Sequence, residues 1–199
     1  MTQDVVIVAT GGANLASLQF ALSRLGTDAM VTEAPETILA ASRVLLPGVG
    51  AAKDTMRRLE ANGLAEIIPQ IKAPVLGICL GMQLLFTSSA EDDTDCLGII
   101  DGRATRFEPG PSRPVPQMGW NAIDAVNDNP LFRGIAGGSY CYFVHSYALP
   151  VAASTIATAE YGLPFAAASQ RGNFFGTQFH PERSGPVGAR VLSNFLALT

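Results

Sequence analysis

The sequence predicts an α/β fold: a central, mostly parallel sheet flanked by helices, with an additional antiparallel β region in the second half. Three observations carry that expectation. Strand-like and helix-like patterns alternate from residue 4 to residue 78, and βα units of this kind imply parallel strands with helices on both faces. Between Gly98 and His180 β-branched and aromatic residues dominate, with turn residues at Pro109-Gly110, Asn127-Asp128-Asn129-Pro130, Gly137-Gly138 and Arg171-Gly172-Asn173, which predicts antiparallel strands. Finally, the apolar run Val75-Leu76-Gly77-Ile78 passes through Cys79 straight into a helical pattern at Leu80-Gly81-Met82-Gln83. That marks the carboxyl end of a strand, where open α/β sheets collect ligands.

Taken in order, residues 4–9 form an apolar run suited to a buried strand. Over 14–25, Leu15, Leu18, Leu22 and Leu25 recur at helical intervals, and Gly26 supplies a stop. A strand over 29–32 and a short helix after Pro35 lead to a third strand, Arg43-Val44-Leu45-Leu46. Helices are predicted over 51–62 and 64–71, and a strand over 74–78 delivers Cys79. The chain closes with a helix over 185–198, where Val187, Val191, Phe195 and Leu198 make an apolar stripe for packing on the sheet.

Composition narrows the function classes. With 199 residues, 48% of them hydrophobic, the chain suffices for one well-buried core, so a single domain over 1–199 is expected. A net charge of −4 without any Lys/Arg cluster argues against nucleic acid or an anionic membrane as partner. The first residues lack a basic stretch, and no apolar run reaches the roughly 18 residues of a membrane span, so a cytoplasmic protein is expected. Three cysteines without paired spacing fit a reducing compartment rather than a disulfide framework. Two histidines and no Cys-x-x-Cys make a metal site unexpected.

The chemistry concentrates at two places. Gly77-Ile78-Cys79-Leu80-Gly81 has the form of a nucleophile elbow, a tight strand-to-helix turn that pushes its apical side chain out of the sheet. The helix N-terminus beyond it favours thiolate over thiol. Taken alone, Cys79 could equally be a buried structural cysteine. Near the other end lies Gln178-Phe179-His180-Pro181-Glu182. In an extended segment His180 and Glu182 point the same way, which supplies a base and the carboxylate that orients it. An ordinary strand end with a surface charge is the alternative, and the joint occurrence with the elbow favours catalysis. Of two glycine-rich runs, Thr10-Gly11-Gly12-Ala13-Asn14 matches no phosphate loop. The second run, Pro47-Gly48-Val49-Gly50, follows a neighbouring strand. Backbone N–H groups of Gly48, Val49 and Gly50 with that of Leu80 would make an oxyanion hole, and one glycine peptide could turn over to assemble or dismantle it.

In this order, Pro47-Gly48-Val49-Gly50, Gly77-Ile78-Cys79-Leu80-Gly81-Met82-Gln83 and His180-Pro181-Glu182 resemble the class I glutamine amidotransferases. Three further stretches, Pro116-Gln117-Met118-Gly119-Trp120-Asn121, Tyr142-Phe143-Val144-His145-Ser146-Tyr147 and Arg183-Ser184-Gly185, are similar to one branch of that family. That branch comprises the glutaminase subunits of imidazole glycerol phosphate synthases in histidine biosynthesis. The likeness spans nearly the whole chain and implies the flavodoxin-like fold of the family and no cofactor.

It also implies roles. Cys79 would attack the carboxamide of L-glutamine, His180 held by Glu182 would pass a proton to departing ammonia, and a thioester would hydrolyse to glutamate. Gln83, Glu91, Ser146 and Tyr147 match positions that grip the glutamine, with Glu91 on its ammonium group. The implied partner is a separate cyclase subunit of (β/α)8 barrel type, joined as a heterodimer and fed ammonia through an internal tunnel. Asn14, Met118, Trp120 and Arg183 match positions facing it; an exposed Trp120 would fit such a contact and a buried indole would not. Two places depart from the family pattern. Ala9-Thr10 stands where Asp-Tyr is common, and Gln117 replaces a histidine, both in segments expected to face the partner. The alternatives are a stand-alone cysteine hydrolase of the same fold and a non-catalytic, glutamine-binding regulatory domain.

Overall fold

The structure is a computed structural model that describes residues 5–11, 15–111, 113–126 and 128–198. Strand β1 (Val5–Val8) is fully buried. Its side chains alternate between two apolar clusters, Val5 and Ile7 in one, Val6 and Val8 in the other. A strand that is apolar throughout can satisfy both faces only as an interior strand of a covered sheet. Helix α1 (Leu15–Ser23) presents Leu18, Ala21 and Leu22 to the first cluster. It closes at Gly26, whose φ of 76° lets the chain reverse. Strand β2 (Met30–Thr32), helix α2 (Pro35–Leu39), strand β3 (Arg43–Gly48) and helix α3 (Ala52–Ala61) follow. The predicted helix over 64–71 is split into α4 (Leu64–Ile67) and a 3₁₀ turn, Ile68–Gln70, because Pro69 cannot donate a helical hydrogen bond.

Strand β4 (Val75–Cys79) runs into α5 (Leu80–Leu84), which is buried along its whole length. Here the helical pattern is shorter than its apolar run suggests. The chain turns out at once into β5 (Phe86–Ser89), which begins a second sheet. There follow β6 (Thr94–Asp95), β7 (Ile100–Arg106), β8 (Gln117–Ala125), β9 (Ser139–His145), β10 (Tyr147–Ala148), β11 (Thr155–Glu160), β12 (Pro164–Arg171) and β13 (Phe174–Thr177). Helix α6 (Gly185–Leu196) closes the fold, with Val191, Leu192 and Phe195 fully buried.

The main sheet has nine strands in the order β2-β1-β3-β4-β13-β12-β11-β8-β9. Its first five strands pair in parallel and the remaining pairings are antiparallel. The antiparallel region is therefore an extension of the parallel sheet rather than a separate layer, and "mostly parallel" holds only for the half that carries Cys79. The second sheet, β10-β7-β5-β6, is mixed. Helices α1 and α6 cover one face of the main sheet, and α2, α3 and α4 the other. Parallel β13 lies beside β4, with Thr177 opposite Ile78. This pairing brings the carboxyl end of the last strand, and the residues after it, to Cys79. Among the described residues, no helix is long and apolar enough to cross a membrane.

Candidate active site

Cys79 sits at φ 56°, ψ −113° between β4 and α5, a left-handed conformation that costs a non-glycine residue roughly 1–3 kcal/mol. The flanking glycines show why the turn closes. A Cβ on Gly81 would overlap the Leu46 carbonyl oxygen of β3, and one on Gly77 would meet the Gly81 carbonyl oxygen at 2.6 Å. Backbone packs here where side chains cannot, and that contact holds the elbow in its strained shape. Since α5 has only five residues, its dipole is small, and the sulfur's environment depends chiefly on its side-chain neighbours.

Those neighbours line a cavity of about 370 Å³ beyond the strand ends. Cys79, His180 and Glu182 share it with Gly48, Val49, Gly50, Leu80, Gln83, Glu91, Ser146, Tyr147 and Arg183. A cysteine from the middle of the chain and an imidazole from near its end thus meet in one crevice. His180 is held by its backbone: its N–H donates to Tyr142 O at 2.9 Å and its carbonyl accepts from Ser184 Oγ at 2.7 Å. On the ring, Nδ1 lies 2.8 Å from Glu182 Oε1, while the buried Nε2 has no hydrogen-bond partner among the described residues. The two side chains do not meet along a strand, as the sequence suggests. His180 is extended, and Pro181–Arg183 is a 3₁₀ turn that folds Glu182 back onto the ring. Proline at the first position of that turn has no N–H to leave unsatisfied.

Burial resists charge on His180, but the neighbouring Cys79 and Glu182 outweigh it and push the ring's pKa up to about 10. His145, the other histidine, behaves oppositely. Burial brings it down to about 4 against the hydrogen bond to Tyr147 O, and His180 lowers it further. Its Nδ1 lies 2.8 Å from Tyr147 O; a carbonyl can only accept, so Nδ1 carries the proton. His145 also lines the cavity and was not singled out in the sequence, where it reads simply as a strand residue.

Gln83 Nε2 donates to Tyr147 O at 2.8 Å and to Gln178 Oε1 at 2.9 Å. Glu91 reaches the cavity too, yet its Oε2 accepts from Ala52 N at 2.8 Å. It thereby caps α3, whose own N-cap residue, Ala51, has no side-chain acceptor. Ser146 O accepts from Phe107 N, so the Ser146 and Tyr147 carbonyls are both engaged within the protein. Gln178 is fully buried and donates from Nε2 to Cys79 Sγ at 3.7 Å. It lies two residues before His180, in the bend that follows β13, and that closeness in sequence to the candidate base is the signal that could have found it.

The expected partner-facing residues divide. Met118 and Trp120 are 66% and 56% exposed. Trp120 pairs across the hairpin with Tyr142 and meets its ring edge-on, and the Arg183 guanidinium lies 4.4 Å over the same ring. Asn14 lies outside the described residues. Of the positions that depart from the family pattern, Ala9 is half-buried and the other two are buried. Gln117 is buried opposite His145. Thr10 is buried too, and its Oγ1 donates to Pro47 O at 2.8 Å, which ties the first loop to the Pro47-Gly48 run. Inward placement follows from strand alternation at Gln117 and from the satisfied hydroxyl at Thr10.

Comparison with known proteins agrees with this architecture. The family model for glutamine amidotransferase class-I matches residues 9–198. The chain is 48% identical to the imidazole glycerol phosphate synthase subunit HisH of Vibrio cholerae over the full length of both. It is 49% identical to that of Yersinia pseudotuberculosis, covering 98% of this chain and 100% of the relative. Among solved structures, a glutamine amidotransferase superposes with a TM-score of 0.76 at 17% identity, covering 97% of each chain. The PurLQS structure of Thermotoga maritima gives 0.73 at 19% identity, covering 98% of each. These two show likeness of fold. The chain belongs to the class I glutamine amidotransferases. Within them it stands with the HisH relatives, the glutaminase subunits of imidazole glycerol phosphate synthase in histidine biosynthesis.

Proposed function

We propose that the chain, as one domain, hydrolyses L-glutamine at Cys79 and delivers the ammonia to a cyclase partner of (β/α)8 barrel type. The observation that carries this reading is the arrangement of His180. Glu182 occupies Nδ1 at 2.8 Å, and among the described residues Nε2 has no hydrogen-bond partner, in the cavity that Cys79 lines. Cys79 Sγ adds to the side-chain carbonyl carbon of glutamine. The negative charge that develops on the carbonyl oxygen falls to backbone N–H groups of Gly48, Val49, Gly50 and Leu80, and losing such a donor costs roughly 3 kcal/mol of transition-state stabilisation. Protonated His180 gives its Nε2 proton to the amide nitrogen, the C–N bond breaks, and ammonia leaves a γ-glutamyl thioester on Cys79. Water then attacks the thioester with His180 as base, which releases glutamate and restores the thiolate–imidazolium pair. Gln83, Glu91 and the Ser146-Tyr147 backbone hold the glutamine; Glu91 Oε1, the oxygen not bonded to Ala52 N, takes its ammonium group.

Docking uses the exposed side of the β8–β9 hairpin. Met118, Trp120 and Tyr140, the last 60% exposed, lie on one face by register, and exposed aromatic residues of this kind anchor interfaces. The same face reaches the cavity through Tyr142 and Arg183, which suits a subunit whose activity is governed from its interface. On this reading the protein works in the cytoplasm, which its three cysteines without paired spacing support.

The test is to mix the chain with a cyclase subunit and follow glutamate with and without the cyclase's ligand. The proposal expects a low basal rate and a large rise on docking with ligand. Full glutaminase activity in the chain alone would instead favour an independent hydrolase.

A further inference from the structure

The sulfur of Cys79 has two polar neighbours besides His180, and they prefer opposite protonation states. The Val144 carbonyl oxygen lies 3.7 Å from Sγ and, as an acceptor, suits the S–H form. The side chain of Gln178 also lies 3.7 Å from Sγ, through Nε2, and an N–H donor suits the thiolate. The amide's orientation is fixed by the network it belongs to. Tyr147 O can only accept, so the Gln83 atom 2.8 Å from it is the nitrogen. That nitrogen's second proton points to Gln178, 2.9 Å away, so the Gln178 atom receiving it is the oxygen. The Gln178 nitrogen is what remains for the sulfur. Both glutamines are buried, and so are the bonds from Gln83 to Gln178 and from Gln178 to Cys79.

The geometry points to Gln178 as a catalytic donor that holds and stabilises the Cys79 thiolate, and to Gln83–Gln178 as the bridge tying the nucleophile to the Tyr147 segment. This rests on Cys79 being the nucleophile. The short stretch after β13 makes the arrangement economical. Gln178 and His180 both lie in the bend that follows β13, one and three residues after Thr177, with Phe179 fully buried between them. One short stretch therefore supplies both the proton carrier and a fixed donor. Without the donor, the sulfur keeps the Val144 carbonyl, which favours the protonated and unreactive thiol.

Two variants of the full chain separate this role from packing. Gln178→Met keeps length and volume but removes both polar atoms; Gln178→Glu keeps the acceptor for Gln83 and removes the donor. Alkylation of Cys79 by iodoacetamide, read from the mass of its peptide, is expected to fall about tenfold at neutral pH in both variants, the scale of a hydrogen bond to a charged group. The loss should shrink as pH is raised, because the donor matters only where thiol and thiolate of Cys79 compete. An unchanged rate at neutral pH, or an equal loss at every pH, would overturn the assignment. In case the variants do not fold, the unsubstituted protein gives a second reading. The side-chain amide protons of Gln178 should shift in the NMR spectrum when Cys79 is alkylated, and their failure to move would also overturn it. If Cys79 in the unsubstituted protein reacts no faster than Cys96, the nucleophile itself is misassigned. If it reacts faster but the variants match it, Gln178 alone is.

Discussion

Glu182 Oε1 lies 2.8 Å from His180 Nδ1, within a three-residue turn that the chain makes immediately after the ring. The carboxylate fixes the ring from one side, so that its other nitrogen is presented to the crevice shared with Cys79.

This pairing predicts the ionisation of His180. Burial opposes its charge, yet Cys79 and Glu182 together raise the ring from 6.5 to about 10. NMR titration should find His180 protonated through neutral pH in the intact protein, and losing its proton at lower pH in Cys79→Ala. The folded ring binds its proton more tightly than the unfolded one. Its contribution to stability is therefore complete below about 6.5 and is lost as pH rises towards about 10. A neutral ring at pH near 7 in the intact protein would contradict the ion pair.

His145 sets the acid limit. Its folded pKa is lowered from 6.5 to about 4, chiefly by burial. It therefore contributes stability above about 6.5 that is lost as pH falls towards about 4. Each pH unit in that window removes at most about 1.4 kcal/mol. Denaturant unfolding at successive pH values should show this decline, and it should be shallower in His145→Gln.

Thr10 is predicted to act through the glycine loop. Replacing it by valine keeps its shape and removes the hydroxyl that donates to Pro47 O, a loss of about 1–3 kcal/mol for a buried pair. If that bond positions Gly48-Val49-Gly50, kcat of the docked enzyme falls while KM for glutamine changes little. Steady-state kinetics and unfolding measured on the same variant separate loop placement from general destabilisation.

Trp120→Ala should leave the isolated chain folded, because the indole is more than half exposed. It should weaken binding to the cyclase by about 2 kcal/mol or more, roughly thirtyfold, as expected for an aromatic interface anchor. Titration calorimetry of the two subunits checks this; unchanged affinity would move the docking face elsewhere.

Local patterns made much of this fold readable. The leucines of α1, the stop at Gly26 and the apolar run of β1 each announce an element through spacing alone, and the elbow shows itself because only glycine fits beside Cys79. What depended on distant pairing was not readable. The antiparallel strands join the parallel sheet through β13 and β12, a partnership no local window contains. Pro181 turned an expected extended tripeptide into a 3₁₀ turn, though Glu182 still reached His180. Within segments expected to face a partner, the side chains of Gln117 and Thr10 are themselves buried, by contacts with residues far away in sequence. Gln178 touches Cys79 across 99 positions, which only the completed sheet brings together.

The most direct measurement is synthesis by the complex containing Cys79→Ala, assayed once with glutamine and once with an added ammonium salt. The account predicts that the glutamine-dependent reaction disappears and the ammonium-dependent one persists, since the cyclase remains docked and intact. Glutamine-dependent synthesis surviving the substitution, or both reactions failing together, would contradict it.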